Sequence, residues 1–467
     1  MNPVSRARQC RLAAAIVSLL GSAIGSAATI TVTTAGDAGT ASTCTLRQAL
    51  ASANADAAGV SACTAGSGAD TIGFAPNLAN STISLSGGEL AIRDAVTVQG
   101  SGQTLDGSGT SPVLYAAPAA GSGSTPQVAL SNLTLSNGYS TSTLRAGGLT
   151  ARYVDLTLNQ VTVSSNAAKN APSGGVLLAS VASSFDHVTI SANFSQSSGS
   201  TTGGILIGGA ASTTLTHSSI SGNQAAVSST YSSGGMYIAG GASVAVLDST
   251  IANNSATGSI SKLAGAVMLF DGSADFVNAT IANNSASGIN NLAGALFSSG
   301  SGTSQAVHLV NCTVTGNVAN GNDTPTAGGV LASLLSATFM LSNTIASGNS
   351  GYSKDAYALN YAYLGAQSSL LGSALQPSLS GNGNVFSDAP GVSALAGNGG
   401  NTLTMALNAA SPALRAGSTA LAAFNGQPLH FDQRGSGFPR RLGPSIDIGA
   451  YQDPGDRVFA EAFETEL

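Results

Sequence analysis

The sequence has few charged residues and no tryptophan. Only 8% of its 467 residues are charged, whereas soluble domains average about 25%. The hydrophobic fraction is 43%, which is too high for a disordered chain when it recurs periodically. Hydroxyl and amide groups must therefore cover most of the surface. The net charge is −6 and no basic patch occurs, so nucleic acid is not an expected partner.

Long apolar runs are also missing. The run at residues 12–24 is shorter than the roughly 20 residues that span a bilayer. Three arginines precede it and small residues follow it, which is the order of a secretory signal peptide. We expect residues 1–28 to be this signal, with a buried N-terminal helix as the alternative. The mature protein is then extracellular or associated with the outer membrane or cell surface, without a transmembrane segment.

Cysteine is scarce, with four residues in the chain. Cys10 precedes the apolar run, and export permits the others to form a disulfide. Cys44 and Cys63 are close in sequence, and a bond between them would close a loop of about 20 residues, worth roughly 3 kcal/mol. We predict this disulfide. Cys312 lies at an inward position of a repeat, so we predict a buried free thiol there.

The chain does contain a repeat. Seven segments open with Gly-Gly or Gly-Ala, continue with a short apolar run and close on a β-branched stretch ending in Asn. Their openings are Gly147, Gly174, Gly203, Gly234, Gly265, Gly294 and Gly328. The regular spacing of these openings along the chain is typical of solenoids and propellers. Leucine-rich repeats are disfavoured because their leucine pattern is absent, and propeller blades usually have about 40 residues or more.

Aligned copies show three columns of like residues. An apolar residue follows a Thr or Ser and precedes an Asn by three places. The Asn column comprises Asn166, Asn193, Asn223, Asn254, Asn284 and Asn317. Alignment on Ile345 puts Asn349 one place late, which predicts an extra residue in that turn. Equivalent residues of stacked coils lie about 4.8 Å apart, so the Asn amides can bond along the stack.

These columns predict an all-β fold, a right-handed parallel β-helix of about ten coils. The apolar column fills the core, and the Thr/Ser column faces water. We expect an N-terminal cap and first coils at residues 29–110 and regular repeats at 111–351. A C-terminal capping module follows at 352–452 and a tail at 453–467.

A helix is predicted ahead of the repeats. Apolar residues at positions 46, 49, 50 and 53 share one helical face, and Thr45 and Gln48 have capping-box spacing. This helix would cover the open end of the first coil. The segment CTLRQAL resembles the Cys-Ser-Leu-Arg-Glu-Ala-Ile motif at the start of many exported bacterial β-helix proteins. The resemblance extends over residues 29–74.

The chain changes character after Gly351. The stretch FDQRGSGFPRRLGPSIDIGAYQ closely resembles the C-terminal module of choice-of-anchor Q proteins, which implies a compact cap over the last coil. In this cap Asp432 and Asp447 would pair with Arg434, Arg440 or Arg441. The final residues resemble short tails of related exported proteins, so they are either a sorting or anchoring tag or a frayed terminus.

One polar column is a candidate site. Three places before the apolar column stand His187, His217 and Asp248 on successive coils. Such a ladder can bind a metal or act as acid and base. The alternative is an ordinary polar ladder facing water, because the other rungs are polar too. Those rungs are Gln160, Asn278, Asn311 and Ser342.

Two further groups are weaker candidates. Four tyrosines follow the repeats and could stack on sugar rings, or they could pack between the last coil and the cap. They are Tyr352, Tyr357, Tyr361 and Tyr363. Asp271 and Asp275 flank a turn that could bind Ca²⁺ weakly, although an ordinary turn also explains them. No other metal and no cofactor is indicated.

The sequence contains no catalytic signature. Polysaccharide lyases need basic residues beside the substrate carboxylate, and glycosidases need grouped carboxylates. The seven repeats have only three Lys or Arg residues, Arg152, Lys169 and Lys262, and no carboxylate motif of polygalacturonase type. We therefore expect a monomeric binding, adhesive or structural protein whose partner is an extracellular polysaccharide or protein. The alternative is a polysaccharide lyase or glycoside hydrolase of the pectin-lyase-like β-helix type.

Overall fold

The structure is a computed structural model that describes most of the chain from residue 27 onward. The described residues are 27–57, 62–228, 231–259, 262–289, 291–300, 305–321, 326–333, 337–359, 362–372 and 379–455. Nearly all of the expected signal peptide, Tyr361 and the tail from residue 456 lie outside them.

The described chain winds as a solenoid in which every coil adds parallel strands to the same sheets. The main sheet has 22 strands and receives two from most coils, joined at a corner. Its strands are Thr29–Val32, Asp70–Phe74, Thr82–Ser84, Val96–Asp106, Gln127–Ser136, Asp155–Asn159, Thr162–Ser164, Ala182–Asp186, Thr189–Ser191, Ser212–Thr216, Ser219–Ser221, Ser243–Leu247, Thr250–Ala252, Ser273–Val277, Thr280–Ala282, Gln305–Val310, Thr313–Thr315, Ala337–Ser342, Ile345–Ala346, Tyr363–Gln367, Leu370–Leu371 and Val385–Phe386.

Three smaller parallel sheets complete the coils. The second sheet contains Leu90–Ile92, Leu114–Ala116, Leu149–Arg152, Val176–Ala179, Ile205–Gly208, Met236–Ala239, Val267–Phe270, Leu296–Ser299, Val330–Ser333 and Ala356–Leu359. The third sheet contains Tyr139–Ser140, Ala167–Lys169, Phe194–Ser197, Gln224–Val227, Ser255–Gly258, Ser285–Ser287 and Val318–Asn320. The cover sheet contains Thr201–Thr202, Ser232–Ser233, Leu263–Ala264, Leu292–Ala293 and Thr326–Ala327. A hairpin pairs Ala423–Phe424 with Gln427–Pro428.

The core is one continuous column of inward side chains from Ile30 to Leu371. The solenoid makes about nine turns, close to the ten expected. Its paired strands begin at Thr29 and continue to Phe386, so stacking extends beyond the predicted repeat range in both directions. The cover sheet adds a second apolar layer, because Ala264 and Ala293 pack against Met268 and other outward residues of the second sheet.

The predicted Asn column forms a buried hydrogen-bonded ladder. Asn223 shows the pattern: its Nδ2 donates to Ile190 O and to Asn254 Oδ1, both at 2.9 Å. Its backbone N–H also donates to Asn254 Oδ1 at 3.0 Å. The ladder continues past Asn317 to Asn349 and ends at Asp355, whose Oδ1 accepts from Asn349 Nδ2. Each turn is thus bonded to the turn of the next coil.

The last regular coil is shifted by one residue from the predicted alignment. Thr313 pairs with Ile345 and Val314 with Ala346, so Ala346 belongs to the apolar column. Asn349 then follows by the usual three places, and the predicted extra residue in that turn was wrong. Ile345 stands in the Thr/Ser column and packs against Leu407.

The N-terminal helix α1, Leu46–Ala55, closes the first coil. Its capping box is present as predicted: Thr45 Oγ1 accepts from Gln48 N, and Gln48 Oε1 accepts from Thr45 N. Asn54 Nδ2 donates to Ala91 O at 2.9 Å, which holds the helix against the first strand of the second sheet. A disulfide joins Cys44 and Cys63 beside the helix.

The C-terminal segment, residues 390–455, lies along the flank of the solenoid and not only over its last coil as expected. Leu403 O accepts from Thr250 Oγ1 at 2.6 Å, and Ala450 N donates to Thr313 Oγ1 at 2.9 Å. These threonines belong to the column predicted to face water. That column is only half-buried at Thr162 but fully buried from Thr250 onward, because the C-terminal segment covers it.

The C-terminal segment contains one of the predicted ion pairs. Arg434 and Asp432 form a buried salt bridge at 2.6 Å. Arg440 is also buried but donates to the backbone oxygen of Gly449, and burial lowers its pKa to about 10. Asp447 instead accepts hydrogen bonds from backbone N–H groups, including that of Arg415.

Candidate functional sites

The corner between the two main-sheet strands of each coil holds the column predicted as a site. We call it the corner column. Its members share a left-handed backbone with φ between 48 and 55°, a conformation in which Asn, Asp and His are enriched. They are Asn132, Gln160, His187, His217, Asp248, Asn278, Asn311 and Asn343. Asn343 takes the rung predicted for Ser342, because of the one-residue shift. The turn itself therefore accounts for much of the column's polarity.

Two rungs of the corner column form a cluster with a carboxylate. The centroids of the His187 and His217 rings lie 4.9 Å apart, with the ring planes tilted by 32°. Asp186, the residue before His187, lies between them: its Oδ2 is 2.9 Å from His187 Nδ1 and its Oδ1 is 3.0 Å from His217 Nδ1. Partial burial tends to raise the pKa of Asp186, but the hydrogen bonds from His217 and His187 outweigh it and lower that pKa.

Asp248 does not complete the cluster as predicted. It occupies the next rung, but its Oδ1 accepts from Asn278 Nδ2 at 3.0 Å. The C-terminal segment also reaches this rung, because Thr402 Oγ1 donates to Asp248 O at 3.1 Å. Burial raises the pKa of Asp248. The carboxylate that joins the histidines is Asp186, which the column alignment missed because it lies one residue before the corner.

A groove of about 930 Å³ lies at the end of the first strands of the second sheet. Arg93, Tyr115, Arg152 and Tyr153 line it together with a loop at residues 117–125. The register places them together, because Ile92, Ala116 and Ala151 are paired neighbours. We call this feature the Arg–Tyr groove. Its volume lies within the range of ligand sites.

The arginines of this region are arranged around one aromatic ring. Arg93 Cζ lies 4.7 Å and Arg145 Cζ 3.5 Å from the centroid of Tyr115. Arg145 Nε also forms an ion pair with Glu89 at 3.1 Å. Arg152 Nε is buried and finds no hydrogen-bond partner among the described residues. The groove therefore presents positive charge in a chain whose net charge is −6.

Tyr153 is held in a backbone conformation that bulky residues rarely adopt. Its φ is 53° and its side chain is 58% exposed. The same turn of the following coils holds smaller residues, which are Ser180, Gly209, Gly240 and Asp271. A large exposed ring at a left-handed position is unfavourable by itself, and the other coils do not require it for stacking. Coil stacking therefore does not explain why a large exposed ring occupies this turn at Tyr153.

The comparison with known families agrees with this architecture. Residues 148–345 match the family model of the right handed beta helix region. The protein is a right-handed parallel β-helix. A search of curated proteins found no match, so the fold is established by the family model and the structure.

The Arg–Tyr groove of the β-helix was missed in the sequence. A signal was present, because Arg152 and Tyr153 stand in the first Gly-Gly opening. Later copies have uncharged residues at the position of Arg152 and smaller residues at that of Tyr153. Arg93 and Tyr115, however, lie in irregular coils that do not align with the seven repeats. Their positions relative to Arg152 follow only from the strand register.

The three described C-terminal tyrosines of the β-helix, Tyr352, Tyr357 and Tyr363, lie in different parts of the coil. Tyr357 lies in the second sheet, where it packs beside Leu331. Tyr363 lies in the main sheet and shares a hydrogen bond with Ser380. Tyr352 is 69% exposed in the turn between coils, and Tyr361 lies outside the described residues. Tyr357 and Tyr363 are close in sequence but belong to different sheets, so sequence proximity did not predict a shared surface.

The predicted acidic turn splits between two partners. Asp271 Oδ1 accepts from Gln305 Nε2 at 3.1 Å, whereas Asp275 Oδ1 lies 2.7 Å from His308 Nδ1. The two carboxylates thus serve different contacts across the stack.

Cys312 is the predicted buried free thiol, and burial raises its pKa to about 12. Within the described ranges no helix is both long and apolar enough to cross a membrane.

Proposed function

We propose that this β-helix is an exported surface-associated or secreted protein that binds an acidic polysaccharide in the Arg–Tyr groove. Export is inferred from the signal-like residues 1–28. The resemblances at both ends of the mature chain, to the Cys-Ser-Leu-Arg-Glu-Ala-Ile motif and to choice-of-anchor Q proteins, support a place at the cell surface. The polysaccharide is inferred from the groove.

The observation that carries the proposal is the combination of Tyr153 with two groove-lining arginines. Guanidinium groups bind carboxylates through paired charge-assisted hydrogen bonds. Arg93 and Arg152 both line the groove, so a ligand carboxylate bound there would meet guanidinium groups. The exposed Tyr153 ring offers an apolar face for a sugar ring. Uronic-acid units combine both features.

The test is binding of the mature chain, residues 29–467, to immobilised polysaccharides. We expect retention on a polyuronate and weaker retention on a neutral glucan. Tyr153→Ser should weaken polyuronate binding about tenfold, or ~1.4 kcal/mol. Arg152→Gln should weaken it by a similar factor or more, because hydrogen bonds to charged groups contribute about 1.5–3 kcal/mol.

The matched control is Phe386→Ser, which removes an equally exposed aromatic ring at the far end of the solenoid. It should leave binding unchanged. Equal binding by Tyr153→Ser and wild type would contradict the groove assignment, as would equal retention on acidic and neutral polymers. New reducing ends or unsaturated products in the incubated polysaccharide would instead support the lyase or hydrolase alternative.

A further inference from the structure

The cluster of Asp186, His187 and His217 brings ligands from two coils to one point. Each histidine lies at a corner, where the left-handed turn fixes its backbone. Stacking of the coils then sets the ring separation. One ring nitrogen from each histidine and one carboxylate oxygen all lie within 4.8 Å of one another. A tetrahedral zinc site requires ligand atoms about 3.4 Å apart, so small side-chain rotations suffice to close it.

The carboxylate of the cluster is itself oriented by the preceding coil. Asn159 Nδ2 donates to Asp186 Oδ2 at 3.2 Å, and Asn159 pairs with Asp186 in the main sheet. Metal ligands commonly have such outer hydrogen bonds, which fix their direction. Asp186 therefore keeps its position in the absence of any ion.

The cluster lies where the corner column is open to solvent. The Asp186, His187 and His217 side chains are 42%, 36% and 29% exposed. From Asp248 onward the C-terminal segment contacts the column, with Phe431 O accepting from Asn278 Nδ2. An ion at the cluster would thus have protein ligands on one side and solvent on the other.

We propose that Asp186, His187 and His217 form a Zn²⁺-binding site with three protein ligands and at least one open position. Imidazole nitrogen and carboxylate oxygen are ligands that zinc accepts in proteins. Three ligands with an open position are the arrangement in which zinc binds water or an anionic group of a ligand. The site is separate from the Arg–Tyr groove and does not depend on the function proposed for it.

The test is calorimetric titration of the metal-stripped mature chain with Zn²⁺, together with the visible absorption spectrum after Co²⁺ addition. We expect one equivalent of Zn²⁺ bound, and a Co²⁺ spectrum of low coordination number. His217→Ala and Asp186→Ala should each weaken binding at least about tenfold, since each removes a ligand. Asn159→Ala should weaken it by about tenfold, the lower end of the effect of outer-shell changes.

The chain offers a matched control in His308. It forms a comparable His–Asp contact with Asp275 at 2.7 Å but lacks a second histidine. His308→Ala should leave the Zn²⁺ affinity unchanged. Circular dichroism and thermal unfolding of the metal-free proteins establish that each variant is folded. Absence of stoichiometric binding to the wild type, or equal affinity in wild type and His217→Ala, would overturn the proposal.

Discussion

At the scale of single residues, the adjacent coil sets the environment of a side chain. Asp275 and His308 are 33 positions apart in sequence, but the main-sheet register makes them direct neighbours. Their hydrogen bond raises the pKa of His308, because Asp275 favours the protonated imidazole more than partial burial disfavours it. A histidine whose pKa is raised on folding stabilises the fold most at pH values below its unfolded pKa. That contribution is lost as the pH rises through the folded pKa.

This contact predicts the result of one charge-removing substitution. In Asp275→Asn, the pKa of His308 should fall toward its ordinary value of about 6.5, because the acceptor loses its charge. Titration of the imidazole signals by NMR measures the change. Asp56→Asn removes an exposed carboxylate elsewhere and should leave the His308 curve in place. An unshifted His308 curve in Asp275→Asn would contradict the assigned contact.

At the scale of elements, the Asn ladder connects each turn to the next. Asn254 Oδ1 accepts from the backbone N–H and the Nδ2 of Asn223, and its own Nδ2 donates to Ile220 O and Asn284 Oδ1. All of these groups are buried, so water cannot replace the amide. The ladder therefore contributes to stability through satisfied backbone groups as well as through its own bonds.

Asn254→Ala tests this contribution. It leaves the buried backbone N–H of Asn223 and one N–H of its side-chain amide without an acceptor, at about 1–3 kcal/mol for each unsatisfied group. We expect the free energy of unfolding to fall by about 3 kcal/mol, measured by urea denaturation. The neighbouring Asn253 is exposed and has a φ of 57°. Asn253→Gly is therefore the control, and it should change the free energy of unfolding by less than about 1 kcal/mol. Equal losses in both variants would contradict the role of the ladder.

At the scale of the whole molecule, the C-terminal segment binds the flank of the solenoid. Gln433 is the central contact: its Nε2 donates to Thr250 Oγ1 at 3.0 Å and to Thr402 Oγ1 at 2.9 Å. Thr280 Oγ1 donates to its Oε1 at 2.5 Å. One buried side chain thus joins two coils to the segment. Because the segment covers the corner column only from Asp248 onward, it also determines which rungs remain open.

Gln433→Ala should loosen the C-terminal segment without unfolding the solenoid. Amide hydrogen exchange in residues 398–452 should accelerate by at least about tenfold, equivalent to ~1.4 kcal/mol of local opening. The main-sheet amides of the first coils should keep their protection. Gln427→Ala, at an exposed position of the hairpin, is the control. It should change amide exchange neither in residues 398–452 nor in the main sheet. Uniform acceleration across the whole chain would show that the segment and solenoid open together.

The regular part of the fold was predictable because its stabilising contacts repeat. Asn193 and Asn254 make the same hydrogen bonds to their neighbours, so an Asn appears at the same position of each repeat in the sequence. Prediction was wrong where the period changed. Ile345 was placed one position out of register because an apolar residue stands where other coils have Thr or Ser, and the reason for it is the contact with Leu407.

The candidate site was predictable only in part. His187 and His217 were placed on adjacent rungs from spacing alone, since both lie three residues before the apolar column. Asp248 occupies the next rung as predicted but bonds to Asn278, and the carboxylate that contacts both histidines is Asp186. Distinguishing Asp186 from Asp248 requires side-chain direction and the position of the C-terminal segment, and neither has a periodic signature.

The sequence by itself determined the stacking of this protein: the coil length, the inward apolar column, the Asn ladder and the capping helix. These follow from local geometry that each repeat or motif satisfies in the same way. Only the tertiary structure decided what the outer surface presents. Thr250 and Leu403 are 153 residues apart, and Arg93 and Tyr153 line the same groove although they belong to different coils. Such contacts join segments of unlike sequence once, so no repeating pattern encodes them.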